Sequence, residues 1–310
     1  MNRLLRRTLL SLVLTGFATP PVWAVDWDKI PGKEVKVFYP GQQSWEWVLT
    51  QGEHKGEKKF REGKNCKGCH AGEEADIGGT QLSSKTNGSD VIAGRPAALN
   101  VTVKFARESD NLYVHMDFAE GAQPDAKMDA KNVTKVAMML NDGKVTPANR
   151  AGCWAACHDD LNAMPSAGER KRTKYLGASR VTPTRQGGGD DIKPADELAK
   201  MRSNGYYLEY WQAFLNPGTP ASSNAFIVLE RRENITPNAV AAAATSKNDT
   251  WSVTLSRPLR AGAPYKDIVP GQPYTVGFAI HGGHTAARFH YTSLEYSLVL
   301  DQGTADFVVR

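Results

Sequence analysis

The four cysteines of this 310-residue chain form two pairs, and a histidine follows the second cysteine of each pair. The first pair reads Cys66-Lys67-Gly68-Cys69-His70 and the second Cys153-Trp154-Ala155-Ala156-Cys157-His158. Cys-x-x-Cys-His is the attachment signal for c-type haem. Each thiol adds across one porphyrin vinyl group, and the adjacent histidine coordinates the iron. The second motif carries one extra residue between its cysteines, a rarer form of the signal. Two other uses of these residues stand beside haem. One is a zinc site assembled from both motifs. The other is a set of disulfides, which would leave both histidines unexplained. The favoured reading is two covalently bound haem c groups, held by Cys66, Cys69, Cys153 and Cys157, with His70 and His158 as proximal iron ligands.

An electron-transfer haem needs a second strong axial ligand. Five histidines remain: His54, His115, His281, His284 and His290. His54 precedes Cys66 by twelve residues, close enough for a loop to carry it over the opposite haem face, so it is the expected distal ligand of the first haem. The bland alternative is a solvated histidine in a Glu/Lys-rich loop. For the second haem the expected ligand is His290, placed in a strand after Arg288, a cation suited to a propionate. His281 is the alternative, and Met138, Met139 or Met164 would suit the methionine class of ligand. Met138 and Met139 point to opposite faces of a strand, so at most one can face a haem. His115 reads as a strand residue on a polar face and His284 as a solvated turn residue. Trp154 either shields a haem edge or packs.

Around these residues the chain changes character twice. Residues 25–95 read as a small helical and loop lead-in carrying the first motif, and the helix formers from Lys55 to His70 have few apolar partners except a haem. From residue 96 a period of two sets in. Leu99, Val101, Val103 and Phe105 alternate with polar neighbours, as do Leu112, Val114 and Met116, and Val136, Met138 and Leu140. Residues 144–205 interrupt the pattern with the second motif, the basic run Glu169 to Lys174, Gly187-Gly188-Gly189 and a short helix from Pro194 to Met201. Strands resume at 206–214, 225–230, 250–256, 274–280 and 293–300. The fold class is mainly β: an antiparallel β-sandwich over residues 96–310, with the second motif in an insertion between strands.

The N-terminus has a basic head (Arg3, Arg6, Arg7), an apolar stretch from Leu9 to Phe17 and a small-residue site at Val22-Trp23-Ala24. It reads as a signal peptide over residues 1–24, which places the protein in the periplasm. Its removal takes three arginines and no acids, so the formal charge falls from +5 to +2. About four haem propionates then bring the holoprotein near neutrality, so the charge gives no argument for nucleic acid. The basic run has two readings, a docking patch for an acidic partner or a solvated loop.

Asp249-Thr250-Trp251-Ser252-Val253-Thr254-Leu255-Ser256-Arg257-Pro258-Leu259 resembles the Trp-x-Val…Arg-x-Leu strand of ethylbenzene dehydrogenase gamma subunits. That family includes related subunits of dimethyl-sulfide and selenate-type molybdoenzymes. Gly277-Phe278-Ala279-Ile280 and the stretch to Ser293 fit the same domain's closing hairpin. With two c-type motifs and the Trp45-Glu46-Trp47 lead-in, the chain is similar to periplasmic multihaem cytochromes that carry this domain. The resemblance covers roughly residues 97–310 and implies a haem-binding sandwich in an electron carrier. Family members hold haem b between a methionine and a lysine. The lysine's place falls on His290 here, a departure that implies haem c where relatives hold haem b.

The leading expectation is a periplasmic dihaem electron carrier. It would work between a membrane quinol-oxidising cytochrome and a periplasmic oxidoreductase. Beside it stand a haem enzyme with one open axial position, acting on a small molecule, and an electron-transfer subunit of a molybdoenzyme. A haem sensor is disfavoured because no kinase, receiver or DNA-binding segment accompanies the motifs.

Overall fold

The structure is a computed structural model that describes residues 25–41, 45, 48, 54–83, 91–158, 174–182 and 191–310. The expected signal segment, Met164, most of the basic run and Gly187–Gly189 lie outside the described residues. Fifteen strands are described: β1 (Lys33–Phe38), β2 (Ala98–Glu108), β3 (Asn111–Ala119), β4 (Thr134–Asn141), β5 (Ala156–His158), β6 (Lys174–Leu176), β7 (Leu208–Leu215), β8 (Ser222–Val228), β9 (Arg232–Asn234), β10 (Ala241–Lys247), β11 (Thr250–Pro258), β12 (Tyr274–His281), β13 (Tyr291–Ser293), β14 (Tyr296–Leu300) and β15 (Phe307–Val309). Five α-helices accompany them: α1 (Glu57–Arg61), α2 (Cys66–His70), α3 (Glu74–Ser83), α4 (Ala148–Ala151) and α5 (Ala195–Ser203).

The period-two segments form the expected sheet. On β2, Leu99, Val101, Val103 and Phe105 are buried while Asn100 and Thr102 are exposed, which is how a pleated strand separates core from solvent. Two hairpins turn on residues with positive φ, Ser109 between β2 and β3, and Asn248-Asp249 between β10 and β11. Asn and Asp tolerate that left-handed backbone, which suits the twist of a two-residue hairpin. One sheet runs in the order β10-β11-β3-β2-β1-β13-β12-β4-β7-β8-β9. It bends so that β10 and β11 pack over β7 and β8, and β15 packs over β2. Two apolar layers thus close on one core, as in a sandwich. Its pairings are antiparallel except that of β14 with β15.

A buried ion pair crosses the layers. Arg257 of β11 donates from Nε to Glu209 Oε1 of β7 at 2.7 Å and from Nη2 to Oε2 at 3.2 Å, and both side chains are fully buried. Glu209 also accepts from the Lys266 backbone N–H and from Trp211 Nε1. The arginine of the Trp-x-Val…Arg-x-Leu strand therefore pins one layer to the other.

Three boundaries differ from the sequence reading. The lead-in supplies a strand, β1, that pairs with β2 and β13 in the middle of the sheet. The helix expected from Lys55 to His70 is two short helices, α1 and α2. The strand expected over 293–300 breaks at Leu294-Glu295 into β13 and β14, which leaves β12 to pair with both. Among the described residues no helix is long and apolar enough to cross a membrane.

Candidate functional site

The first motif is helix α2. Asn65 caps it, accepting a hydrogen bond from Gly68 N at 2.9 Å. A Cβ at position 68 would lie 2.4 Å from that capping oxygen, so Gly68 lets the cap form. His70 ends the helix and donates from Nδ1 to the Glu73 carboxylate at 3.0 Å. That bond fixes the tautomer and leaves Nε2 with a lone pair, the arrangement of a metal-ligating histidine. Opposite it stands His54, with ring centroids 6.1 Å apart and planes inclined by 41°. That separation would let both imidazoles hold one metal ion between them. Burial, above all, holds His54 below the ordinary histidine range, so it is neutral at pH 7 and able to ligate.

Packing of α1 sets the position of His54. Glu57 N donates to His54 O at 2.9 Å, and buried Phe60 meets Trp45 edge-on with centroids 5.2 Å apart. The Arg150 guanidinium lies over the other side of Phe60, 4.2 Å from its centre.

The second motif runs through a 3₁₀ turn, Gly152–Ala155, into β5. A Cβ on Gly277 of β12 would sit 2.7 Å from Cys153 Sγ. Glycine there lets the motif lie directly on the sheet. Cys153 and His158 help line a cavity of about 630 Å³, walled on the sheet side by Met139, Tyr210 and Phe226. That volume is in the range of cofactor pockets. Lys135, Lys174 and Arg232 also line it, cations suited to propionates.

His158 has a histidine partner too. Its ring centroid lies 5.3 Å from that of His290, and His281 stacks on His290 at 4.8 Å. His290 Nδ1 donates to Ala287 O at 3.2 Å, again leaving Nε2 as the acceptor. His281 directs Nε2 to the same carbonyl at 3.0 Å. Burial is the largest cause that keeps His158, His281 and His290 well below the usual histidine range, so all three are neutral at pH 7.

The structure thus brings His54 to His70 and His290 to His158, with His281 stacked on His290 and, unlike His290, lining the large cavity beside His158. The expectation that His290 sits in a strand is corrected. It lies just before β13, at the end of the turn that follows β12, because the Ala287 carbonyl it bonds closes that turn. Arg288 is buried beside His158 and His290. Met139 lines the cavity, whereas Met138 is fully buried in the core. Trp154 stacks on Phe38 of β1 at 5.6 Å, which is packing. His115 stacks on Trp27 at 4.6 Å and bonds Asp117 and Thr254. His284 is half-buried and donates to Asp129 O at 2.8 Å, so it is tied down rather than solvated.

None of the four cysteines is in a disulfide. Among the described residues no group of three or more His, Cys, Asp or Glu side chains converges as a metal-ion cluster would. Sequence reasoning missed Glu73, Gly277, the cations Lys135 and Arg232, and Glu295. Only Glu73 had a local signal, its place three residues after His70.

Glu295 joins the two motifs. Its Oε1 accepts from Lys67 N at 2.9 Å, and its backbone lies against Gly152, whose Cβ would fall 3.1 Å from Glu295 Cα. Helix α2 packs on α4, which leads directly into Gly152. Arg150 of α4 donates to the carbonyls of Phe60 and Lys64. The two attachment segments are therefore direct neighbours.

The family model for ethylbenzene dehydrogenase matches residues 224–293, the part of the sandwich from β8 to β13. The chain is 32% identical to cytochrome c-552 of Stutzerimonas stutzeri over 89% of its own length and 87% of that protein's. It is 30% identical to cytochrome c-551 of Rhodocyclus tenuis over 89% of its length and 94% of the relative's. A solved carbohydrate binding module family 9 from Caldicellulosiruptor kristjanssonii, in complex with glucose, is 10% identical. It covers 63% of this chain and 66% of that one with a TM-score of 0.31, too slight a likeness to carry an argument. Relatives at 32% and 30% identity, each matched over 89% of this chain, show the family: the chain belongs to these c-type cytochromes, electron-transfer proteins, and residues 224–293 give it an ethylbenzene dehydrogenase-type domain.

Proposed function

We propose that this protein is a dihaem c-type cytochrome that passes single electrons between respiratory partners in the periplasm. The observation that carries the reading is the pairing of each motif histidine with a second, remote imidazole: His70 with His54, and His158 with His290. Cys66 and Cys69 would hold one haem c and Cys153 and Cys157 the other. The haem iron, when bound, supplies a one-electron ferric/ferrous couple. The chain's own residues fix both axial positions. Glu73 and the Ala287 carbonyl orient His70 and His290 through their Nδ1 hydrogens. Lys135, Lys174 and Arg232, which line the cavity, would neutralise propionates of the second haem. His281, which stacks on His290 and lines the cavity, is the alternative ligand.

His54 with His70, and His290 with His158, would hold a haem iron between two histidines and leave no open position for a small-molecule substrate, which favours a carrier over a haem enzyme. The relatives' names favour a free carrier over a molybdoenzyme subunit, since the matches span most of their length. Donor and acceptor are proposed as a membrane quinol-oxidising cytochrome and a periplasmic oxidoreductase. The test is haem quantitation in alkaline pyridine with carbon monoxide titration of the reduced protein. Two haem c per chain and no spectral change with carbon monoxide are expected. One haem per chain, or a carbon monoxide adduct, would overturn the reading.

A further inference from the structure

Glu295 lies where the two attachment segments meet, in the break between β13 and β14. Its side chain is 5% exposed. One carboxylate oxygen accepts from Lys67 N, the residue after Cys66, and the other is buried with no hydrogen-bond partner. Its backbone touches Gly152, the residue before Cys153. A buried carboxylate with an unsatisfied oxygen is costly when charged, and protonation removes that cost.

The groups facing it do not remove the cost. From α2 come Lys67 and the Cys66 sulfur, which a thioether would make neutral. The Lys67 ammonium is already held by Asp306 at 2.6 Å, and Asp306 adds a second negative charge nearby. Arg150 of α4 faces Cys66 but donates to the Phe60 and Lys64 carbonyls. Tyr296 lies beside it, faced in turn by Glu74 of α3 and Glu34 of β1, and Lys33 of β1 pairs with Asp306 at 3.2 Å. Burial, above all, pushes the Glu295 carboxyl up to about 7 against the pull of the Lys67 and Glu295 backbone N–H groups and the Lys67 ammonium, and Asp306 adds a smaller push upward.

We infer that Glu295 is a redox-linked proton site, taking up a proton when a neighbouring haem takes up an electron. The inference rests on the dihaem reading. The step balances as one electron from the single-electron donor, which reduces ferric iron to ferrous, and one proton from solvent, which converts the Glu295 carboxylate to the carboxylic acid. Oxidation by the acceptor returns both. Reduction removes one positive charge beside the carboxylate and so raises its proton affinity. Protonation in turn favours the reduced haem, by the same reciprocal linkage.

The test is a redox titration of the holoprotein against pH, with haem content measured on the same samples. At least one midpoint potential should fall as pH rises through about 6 to 8, approaching the 59 mV per pH unit of one proton per electron. In Glu295→Gln, which keeps an oxygen for Lys67 N, that slope should vanish. Redox-difference infrared spectra of wild type carrying ¹³C-glutamate give an independent reading. They should show a carboxylic acid carbonyl band that appears on reduction and carries the isotope shift, which haem propionates would not. Two haems per chain with pH-independent potentials would overturn the Glu295 inference and leave the carrier reading standing. So would a slope unchanged in Glu295→Gln, or a carbonyl band without the isotope shift. Fewer than two haems would instead strike the reading on which the inference rests.

Discussion

At the residue scale the chemistry depends on which nitrogen of each histidine is left free. His70 and His290 each give their Nδ1 hydrogen to an oxygen, a carboxylate in one case and a backbone carbonyl in the other. The carboxylate is the stronger acceptor, so the ring's Nε2 becomes the better donor to ferric iron. Glu73→Gln should therefore raise one midpoint potential and leave the other unchanged. Glu73 is largely exposed, so solvent screens the effect. The shift should stay below about 60 mV, a tenfold change in the reduction equilibrium. A spectroelectrochemical titration in which neither potential rises would refute the role given to Glu73. The histidine stack has a second consequence. His281 shares the Ala287 carbonyl with His290, so His281→Phe should loosen His290 and broaden the second haem's low-spin resonance without changing the first.

At the element scale the sheet is built to receive the second motif. Gly277 is the point of closest approach, and a methyl group there would collide with Cys153 Sγ. Gly277→Ala should destabilise the fold by about 1–3 kcal/mol, as overpacking does, and lower the haem-to-protein ratio toward one. Mass spectrometry of the intact chain would count the attached haems. A fully loaded variant would show that the motif has room to move. The alternation of β2 was legible in the sequence because one of its faces is buried and the other largely exposed; β3 and β4 were legible from their alternating residue types although both of their faces are mostly covered. β1 was not, since Lys33-Glu34 and Lys36 hide a short apolar set whose partners lie 60 and more than 250 residues away. β10 was missed for the opposite reason: Ala241–Lys247 is a mostly exposed edge with small side chains. The break at Glu295 had no local signal, because a charged residue inside an apolar strand reads as an outward-facing position.

At the scale of the whole molecule one sandwich holds both cofactor segments, and its layers are tied by the Arg257–Glu209 pair. Removing one partner leaves a buried charge uncompensated. Arg257→Ala should cost about 3–5 kcal/mol, read as a lower denaturant midpoint of the holoprotein. A change below 1 kcal/mol would show that the layers hold without it. The two Cys–His motifs were readable from types and spacing, and so was the nearness of His54 to His70 and of His290 to His158. The adjacency of the two motifs was not, since the contacts that create it join α2 to residues 228 positions away. The central claim is that two haems are each gripped by two histidines, and paramagnetic resonance of the oxidised protein tests it most directly. Wild type should show two low-spin ferric signals and no high-spin signal. His54→Ala should convert one of them to high spin and His290→Ala the other. A high-spin signal in wild type, or variants whose signals match wild type, would contradict the account.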